Sequence, residues 1–252
     1  MSTILFASLL QLCAVLFFGV MERLFPRVDY KKDSLWWQIW GALLVYSSIW
    51  LQIVMIFWLD VKVAPLFHYE FEGVWGIILF YLFYSHGNYW FHRFKHTNAW
   101  FWKHVHGLHH APQHMEVAVA FFRHPIEISF NTLYLLFIGK VIFDVPIEII
   151  FCALVIEGCL ESFHHANIAW PNRLDWVGRF VQIPPMHLVH HECGRHTNNY
   201  SPLFWDYLYG TCEIPGKRVI PAIGLNGDLS SRLWNFDLTI SKMLCKLRSN
   251  GN

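Results

Sequence analysis

The sequence has little charge and lacks the short patterns of most soluble cofactor-binding proteins. Asp, Glu, Lys and Arg make up 15% of its 252 residues, whereas an average soluble domain has about 25%. The net charge of +1 leaves no basic excess to neutralise a phosphate backbone, which argues against nucleic acid as a partner. No two cysteines have C-x-x-C spacing and no G-x-G-x-x-G segment occurs, so neither a thiolate metal site nor a nucleotide-binding module is indicated.

Long uncharged or apolar runs are present instead. A membrane helix needs about 20 mostly apolar residues to cross a hydrocarbon core of about 30 Å. Three runs contain no Asp, Glu, Lys or Arg: residues 1–21, 34–59 and 73–91. Two further stretches are apolar but less regular: residues 126–143 and 146–163. The last two face each other across Asp144-Val145-Pro146, which predicts a helical hairpin. The sequence therefore predicts an all-α, multi-pass membrane bundle of four to five hydrophobic helices.

The distribution of Lys and Arg predicts which side of the membrane each loop occupies. Basic residues follow the first run closely, whereas the loop after the second run has only Lys62. Cytoplasmic loops carry the excess of Lys and Arg, so the histidine clusters and the C-terminal tail are expected in the cytoplasm. A bacterial inner membrane is favoured over the alternative, an endoplasmic reticulum membrane, because neither a fused electron-carrier domain nor a C-terminal retrieval signal is found.

Histidine is the exception to this apolar composition, with 16 residues. They recur with helical spacing, as one i, i+4 pair and two H-x-x-H-H triplets. These are His92 and His96, then His106, His109 and His110, then His187, His190 and His191. Rings at this spacing are predicted to lie on one helix face. Neutral imidazole binds first-row transition metals, so eight or more inward rings exceed the needs of one ion and predict two.

Other histidines and several carboxylates are placed around this set. His124 and His165 lie between the triplets and are further candidate ligands. The remaining histidines are expected to be amphipathic side chains at the headgroup level: His68, His86, His104, His114, His164 and His196. Glu161, four residues before His165, fits either a metal ligand or a hydrogen-bond acceptor behind one. Candidate carboxylates behind the ligands are Glu127, Asp206 and Glu116, and a solvated loop position suits Glu116 equally well.

The order of these motifs resembles the fatty acid hydroxylase / sterol desaturase superfamily of integral-membrane oxidases. The resemblance is carried by HRFKH, HGLHH, RHPIE, HHANI and HLVHH, followed by Asn199-Tyr200 and FWDYLYGT, over residues 79–213. It implies a non-haem dimetal centre in a cytoplasmic histidine-rich cap, physiologically with two iron ions, which zinc can replace in a purified protein. The implied ligands are His92, His96, His106, His109, His110, His124, His165, His187, His190 and His191. The chain departs from the family pattern at His86, where an acidic residue is common, and at Glu161, where some members have histidine.

The resemblance also implies an activity. Family members carry out O₂-dependent hydroxylation or desaturation of a lipid such as a fatty acyl chain or sterol. Electrons are expected from a separate donor, such as a cytochrome b5-like protein, a ferredoxin or a reductase. The chain is then divided into N-terminal membrane helices (1–72), a catalytic domain (73–213) and a cytoplasmic tail (214–252).

Two other classes of membrane protein also use histidines. The main alternative is a metal transporter, which predicts ligands near the bilayer midplane. A zinc hydrolase is a third reading, and it usually has about three protein ligands. The number of bound ions and the ease of their exchange separate the three functions.

Overall fold

The computed structural model describes residues 3–30, 65–67, 69–220 and 222–225, together with a few single positions between 43 and 55. This part is helical, with isolated bridges and no extended strand among the described residues. The α-helices are α1 (Thr3–Leu24), α2 (Gly73–Thr97), α3 (Ala99–His104), α4 (Pro125–Leu136), α5 (Ile147–His165), α6 (Pro184–His190) and α7 (Trp205–Leu208). Short 3₁₀ segments span His106–Leu108, Val117–Phe121 and Asn172–Arg179, and a π-helical segment spans Phe137–Ile142.

Helix α5 lies at the centre of the apolar bundle. It packs against both α1 and α2, and the main core cluster combines side chains of α2, α4 and α5 such as Phe80, Leu135 and Ile150. The outer side chains of α1 are apolar and exposed, including Leu16 (60%) and Phe17 (57%). An apolar outer surface of this kind suits contact with lipid tails.

The predicted helical hairpin is present. Helix α4 and the π segment together run over Pro125–Ile142, the one stretch among the described residues that is long and apolar enough to cross a membrane. The chain reverses at Asp144, which has a positive φ of 50°. Gly139 lets the two helices approach, because a Cβ there would lie 2.6 Å from the end of Ile150. A positive φ is tolerated better by Asp than by most residues.

Several predictions fall outside the described residues. The run at 34–59 is described only at single positions, and His68 and residues 226–252 are not described. The count of four to five membrane helices therefore stays a prediction. The division at 72 and 213 and the side of the membrane stay predictions as well.

The first H-x-x-H-H triplet differs from the predicted helix. Helix α3 ends at His104, and the triplet begins in a 3₁₀ turn over His106–Leu108. Gly107 makes this tight turn possible, because a Cβ at that position would lie 2.6 Å from the carbonyl oxygen of Trp102. The second triplet is mostly helical as predicted, since α6 contains both His187 and His190.

Candidate metal centre

Nine of the ten predicted ligands lie in two groups of buried or half-buried histidine rings. In each group, one ring nitrogen of every member lies within 4.8 Å of those of the others. The first group is His92, His96, His106, His110 and His190, and the second group is His109, His165, His187 and His191. The fold thus brings together residues that are far apart in the sequence.

Three Nε2 atoms of the first group form a triangle. The distance is 3.1 Å between His92 and His106, 3.2 Å between His96 and His92, and 3.0 Å between His106 and His96. A neutral imidazole Nε2 has either one proton or one lone pair, so three such atoms cannot all be joined by hydrogen bonds. Two nitrogens that lie about 2.1 Å from one ion and meet at a right angle are about 3 Å apart. The triangle therefore fits donors to a shared metal ion.

The second group shows the same spacing. Nε2 of His187 lies 2.9 Å from that of His165 and 3.1 Å from that of His191, and His165 lies 3.3 Å from His109. All four residues are buried. The second group therefore offers four converging nitrogens, enough for a second transition-metal ion.

Each H-x-x-H-H triplet supplies both groups. The outer members of the first triplet, His106 and His110, join the first group, and the middle member His109 joins the second. The second triplet does the reverse, because its middle member His190 joins the first group. The groups adjoin each other, with the rings of His110 and His191 stacked at 4.1 Å between centroids. This arrangement is suited to two neighbouring ions.

Hydrogen bonds at Nδ1 orient most of these rings. The bonds to backbone carbonyls run from His92 to Tyr200 at 2.5 Å, from His190 to Asn198 at 2.6 Å, from His165 to Glu161 at 2.8 Å and from His109 to Phe122 at 3.3 Å. His187 donates instead to Oε1 of Gln182 at 2.9 Å. A ring with its proton on Nδ1 presents the lone pair of Nε2, which is the form that binds metal.

Glu127 supports His106 from behind. Its Oε1 accepts hydrogen bonds from His106 Nδ1 at 2.9 Å and from Lys95 Nζ at 3.1 Å. Lys95 also donates to Oδ1 of Asn131 at 2.8 Å, and the carboxylate of Glu127 is fully buried. A carboxylate in this position fixes the ring and makes it a stronger donor. The contact matches the role predicted for Glu127 from the sequence.

Burial keeps the rings neutral. It lowers the pKa of His110, His187, His190 and His191 well below the usual 6.5. Among the described residues, Nε2 of His190 and both ring nitrogens of His110 are buried without a hydrogen-bond partner. Buried unpaired polar atoms are costly, and a bound ion would take up the free lone pairs. The residues present fit two transition-metal ions.

His124, the tenth predicted ligand, lies outside both groups. Its Nδ1 accepts a hydrogen bond from the backbone N–H of Ile126 at 3.1 Å, which caps the N-terminus of α4. His124 is therefore placed as a helix cap in this structure.

Glu161 lies beside the second group, and the contacts around it include a residue that sequence reasoning missed. Its Oε2 accepts from Arg123 Nη2 at 2.5 Å and lies 3.3 Å from His164 Nε2. His164 was expected at the headgroup level, but it is 2% exposed and its ring centroid lies 4.1 Å from that of His187. No spacing signal distinguishes His164 from the neighbouring His165, because the two differ only in which face of α5 they occupy.

The other two predicted carboxylates have different surroundings. Asp206 is buried and accepts a hydrogen bond from the backbone N–H of Tyr200 at 2.8 Å, so it holds the segment whose carbonyl binds His92. Glu116 lies 3.4 Å from His114 and belongs to neither histidine group.

Gln182 was also missed by sequence reasoning. Besides accepting from His187, its amide nitrogen donates to the carbonyl of Asn199 at 2.5 Å. It thus ties α6 to the segment that supports the first group. Gln182 lies outside the H-x-x-H-H triplet, and the best available signal is its position just before Pro184, where α6 begins.

Comparison with known proteins agrees with this geometry. A sequence model described as fatty acid hydroxylase matches residues 77–211, which contain both histidine groups. A cholesterol 25-hydroxylase-like protein of Caenorhabditis briggsae is 26% identical over 165 residues, which cover 65% of this chain and 54% of that protein. The chain thus spans about half the length of this curated relative. No solved structure matches the chain.

Proposed function

The chain belongs to the fatty acid hydroxylase family, and we propose that it is a membrane-bound, O₂-dependent hydroxylase of a lipid with two iron ions in its histidine groups. Family membership and the relative support lipid hydroxylation in general. The proposed substrate is a fatty acyl chain or a sterol, and desaturation is the related outcome at the same centre. The reaction would serve lipid biosynthesis or modification.

The convergence of the histidine rings is the main support for this proposal. Nine histidines converge in two adjoining groups, and Nδ1 hydrogen bonds aim their Nε2 lone pairs inward. A single zinc-bound water needs about three protein ligands, so nine exceed what a hydrolase uses. We propose His92, His96, His106, His110 and His190 as ligands of one ion, and His109, His165, His187 and His191 as ligands of the other.

The chemistry explains why histidines and metal are needed. An unactivated C–H bond resists acid–base and nucleophilic attack, and iron with O₂ supplies the oxidising power when it is bound. The residues of the chain hold the ligand rings still and exclude water. His110 and His190 are each less than 1% exposed, and Glu127 fixes His106 against rotation.

The overall stoichiometry requires a partner. Hydroxylation of R–H by O₂ consumes two electrons and two protons and yields R–OH and water. The sequence contains no pattern for a haem, flavin or iron–sulfur group, so we propose a separate donor: a cytochrome b5-like protein, a ferredoxin or a reductase.

The fixed orientation of the ligand rings also favours ions that stay bound over ions that are transported. A transporter must release its ion on each cycle, whereas here carbonyl, amide and carboxylate oxygens hold the ligand rings in one orientation. We propose that both groups face the cytoplasm, in a bacterial inner membrane or, as the alternative, an endoplasmic reticulum membrane. The sidedness rests on the positive-inside distribution of Lys and Arg.

Lipid profiling by mass spectrometry tests the proposal. Cells that produce the chain should contain a lipid class with one added oxygen, or with two hydrogens removed, that control cells lack. His110→Ala should abolish this product, whereas His104→Ala, at an exposed ring outside both groups, should not. An unchanged lipid profile together with a purified protein that binds no metal would refute the proposal.

A further inference from the structure

A chain of aromatic rings connects the first histidine group to the protein surface. The ring of Tyr200 lies 5.7 Å from His92 and 5.9 Å from Tyr89, measured between centroids. Tyr89 stacks on Tyr209 at 4.9 Å, and Tyr209 lies 4.9 Å from Trp90. Each step is within the range of ordinary aromatic contact.

The exposed fraction of the side chains increases along this row of aromatic rings. Tyr89 is 0% exposed and Tyr200 is 4% exposed, whereas Tyr209 is 39% and Trp90 is 45% exposed. The inner end therefore touches a proposed metal ligand, and the outer end meets the surroundings of the protein. Tyrosine and tryptophan are the side chains that lose one electron most readily without cleavage of the polypeptide. A row of these side chains from the histidine group to the surface is therefore suited to electron transfer.

The buried phenol of Tyr89 has a route for its proton. Thr211 donates its only hydroxyl proton to Asp206 Oδ1 at 2.7 Å, so in the 3.0 Å contact between Tyr89 and Thr211 the phenol is the donor. Burial raises the pKa of Asp206 to about 6. Its carboxylate is thus a stronger base than an ordinary aspartate and is still ionised at neutral pH.

The outer phenol also has a proton acceptor. The hydroxyl of Tyr209 lies 2.7 Å from Nε2 of His86, one of the two positions at which the sequence departs from the family pattern. An imidazole with a free Nε2 lone pair accepts a proton from a phenol that is losing an electron. Both tyrosines at the stacked step therefore have a base within hydrogen-bond distance.

We propose that Tyr200, Tyr89, Tyr209 and Trp90 form an exit path for oxidising equivalents that protects the histidine ligands when no lipid is bound. The inference rests on the proposed function, since it needs an oxidising centre at the histidine groups. It adds a second activity, the slow oxidation of a small external reductant at the surface.

The electron and proton balance of the path is complete. Tyr89 loses one electron, by way of Tyr200, to the metal centre, and its proton goes to Thr211 while that of Thr211 goes to Asp206. Tyr89 then recovers an electron from Tyr209 and its proton from Thr211, and Tyr209 gives its own proton to His86. Asp206 returns its proton to Thr211, an external thiolate reduces the Tyr209 radical by one electron, and His86 returns the proton to Tyr209. The two thiyl radicals from two such steps join as a disulfide. Two passes remove two oxidising equivalents.

The experiment uses radical trapping on the metal-loaded protein. The reduced protein is exposed to O₂ without lipid in the presence of a nitroso spin trap, then digested, and the labelled peptides are identified by mass spectrometry. Wild type should carry the label on Tyr209 or Trp90. In Tyr89→Phe this label should fall by an order of magnitude, and added oxygen should accumulate on His92, His96 and His190. Tyr207→Phe removes a phenol that is exposed but outside the path, and it should match wild type.

The outcomes separate this inference from the proposed function. Equal surface labelling in Tyr89→Phe and wild type, or wild-type label mainly on Trp102, which contacts His96 directly at 4.9 Å, would overturn the path. If lipid hydroxylation is nonetheless seen in parallel samples, the proposed function stands without it. A protein that neither binds metal nor consumes O₂ would overturn both.

Discussion

The two histidine groups use the same ring but different supports. The first group has five members, of which His92 and His96 are half-buried, and its His106 is backed by the carboxylate of Glu127. The second group has four members, all buried. Three of its rings, those of His109, His165 and His187, donate to neutral oxygens. The carboxylate of Glu161 is paired with Arg123 and lies 3.4 Å from Nδ1 of His165.

This difference predicts that the two proposed ions respond separately to changes in their surroundings. A carboxylate behind an imidazole increases its donor strength, whereas complete burial limits the access of water, protons and chelators. The first group therefore combines one carboxylate-backed ring, His106, with partial access, and the second combines neutral acceptors with complete burial.

Loss of one ligand from each group should have the largest effect. His190→Ala and His187→Ala each remove a buried ring that has an Nδ1 hydrogen bond, and each should reduce activity by about 100-fold or more. Each variant should also lose about one of two bound ions, which metal analysis of the purified protein measures. His104→Ala is the matched control.

Folding must be checked before this result is interpreted, because both ions would join distant parts of the chain. Membrane insertion and the thermal unfolding midpoint of each variant provide that check. Full activity with two bound ions in either well-folded variant would contradict the assignment of that ring.

Lowering the pH should release the ion of the first group before the ion of the second. Burial lowers the pKa of His110 and His191 below 6.5 in the folded protein, so as pH falls through about 6.5 the unfolded chain binds protons that the folded metal-free chain does not. The stability of the metal-free protein should therefore fall as pH falls. In the loaded protein, the partly accessible first group should release its ion at a higher pH than the second.

Metal content and thermal unfolding midpoint, followed from about pH 8 to about pH 5, measure both effects. His190→Ala should lack the first release step and keep the second. A single release step in wild type, or a metal-free protein that becomes more stable in acid, would contradict the prediction.

The sequence predicts which histidines converge better than it predicts how they divide into two groups. Spacing identified eight of the nine converging histidines, because metal sites need several rings at short separations, and the family resemblance added His165 together with His124, which does not converge. Spacing did not show that His109 and His110 join different groups, since that depends on the 3₁₀ turn at His106–Leu108. The supports behind the rings were also hidden, because a backbone carbonyl such as that of Tyr200 has no side-chain signature.

Changes behind the rings should have intermediate effects that fall mainly on one group. Glu127→Gln weakens the support of His106 and should reduce the affinity of the first ion by roughly 10- to 100-fold. Gln182→Met removes the acceptor of His187 and should weaken the second ion by a similar factor. It also removes the hydrogen bond to the carbonyl of Asn199, so a smaller effect on the first ion is expected. Metal titration of the purified variants distinguishes the two sites.

Lys95 needs a control of its own, because Glu127→Gln leaves its buried ammonium without a carboxylate partner. The double variant Lys95→Met/Glu127→Gln removes that unpaired charge. The double variant should be more stable than Glu127→Gln, but its affinity for the first ion should stay as low. If Glu127→Gln alone or Gln182→Met alone weakened the binding of both ions equally, the separation of the two groups would be wrong.

The smallest expected effect is at His124, which belongs to neither group. In His124→Ala the backbone N–H of Ile126 loses its acceptor, and loss of a helix N-cap costs about 1 kcal/mol. His124→Asn keeps a side chain that accepts at an N-cap and should recover most of that stability. Both variants should bind two ions and form product, because the nine rings of the two groups are untouched. Denaturant unfolding and metal analysis measure the two properties separately. A loss of one ion in both variants would instead show that His124 is a tenth ligand, since asparagine replaces the cap but not the imidazole.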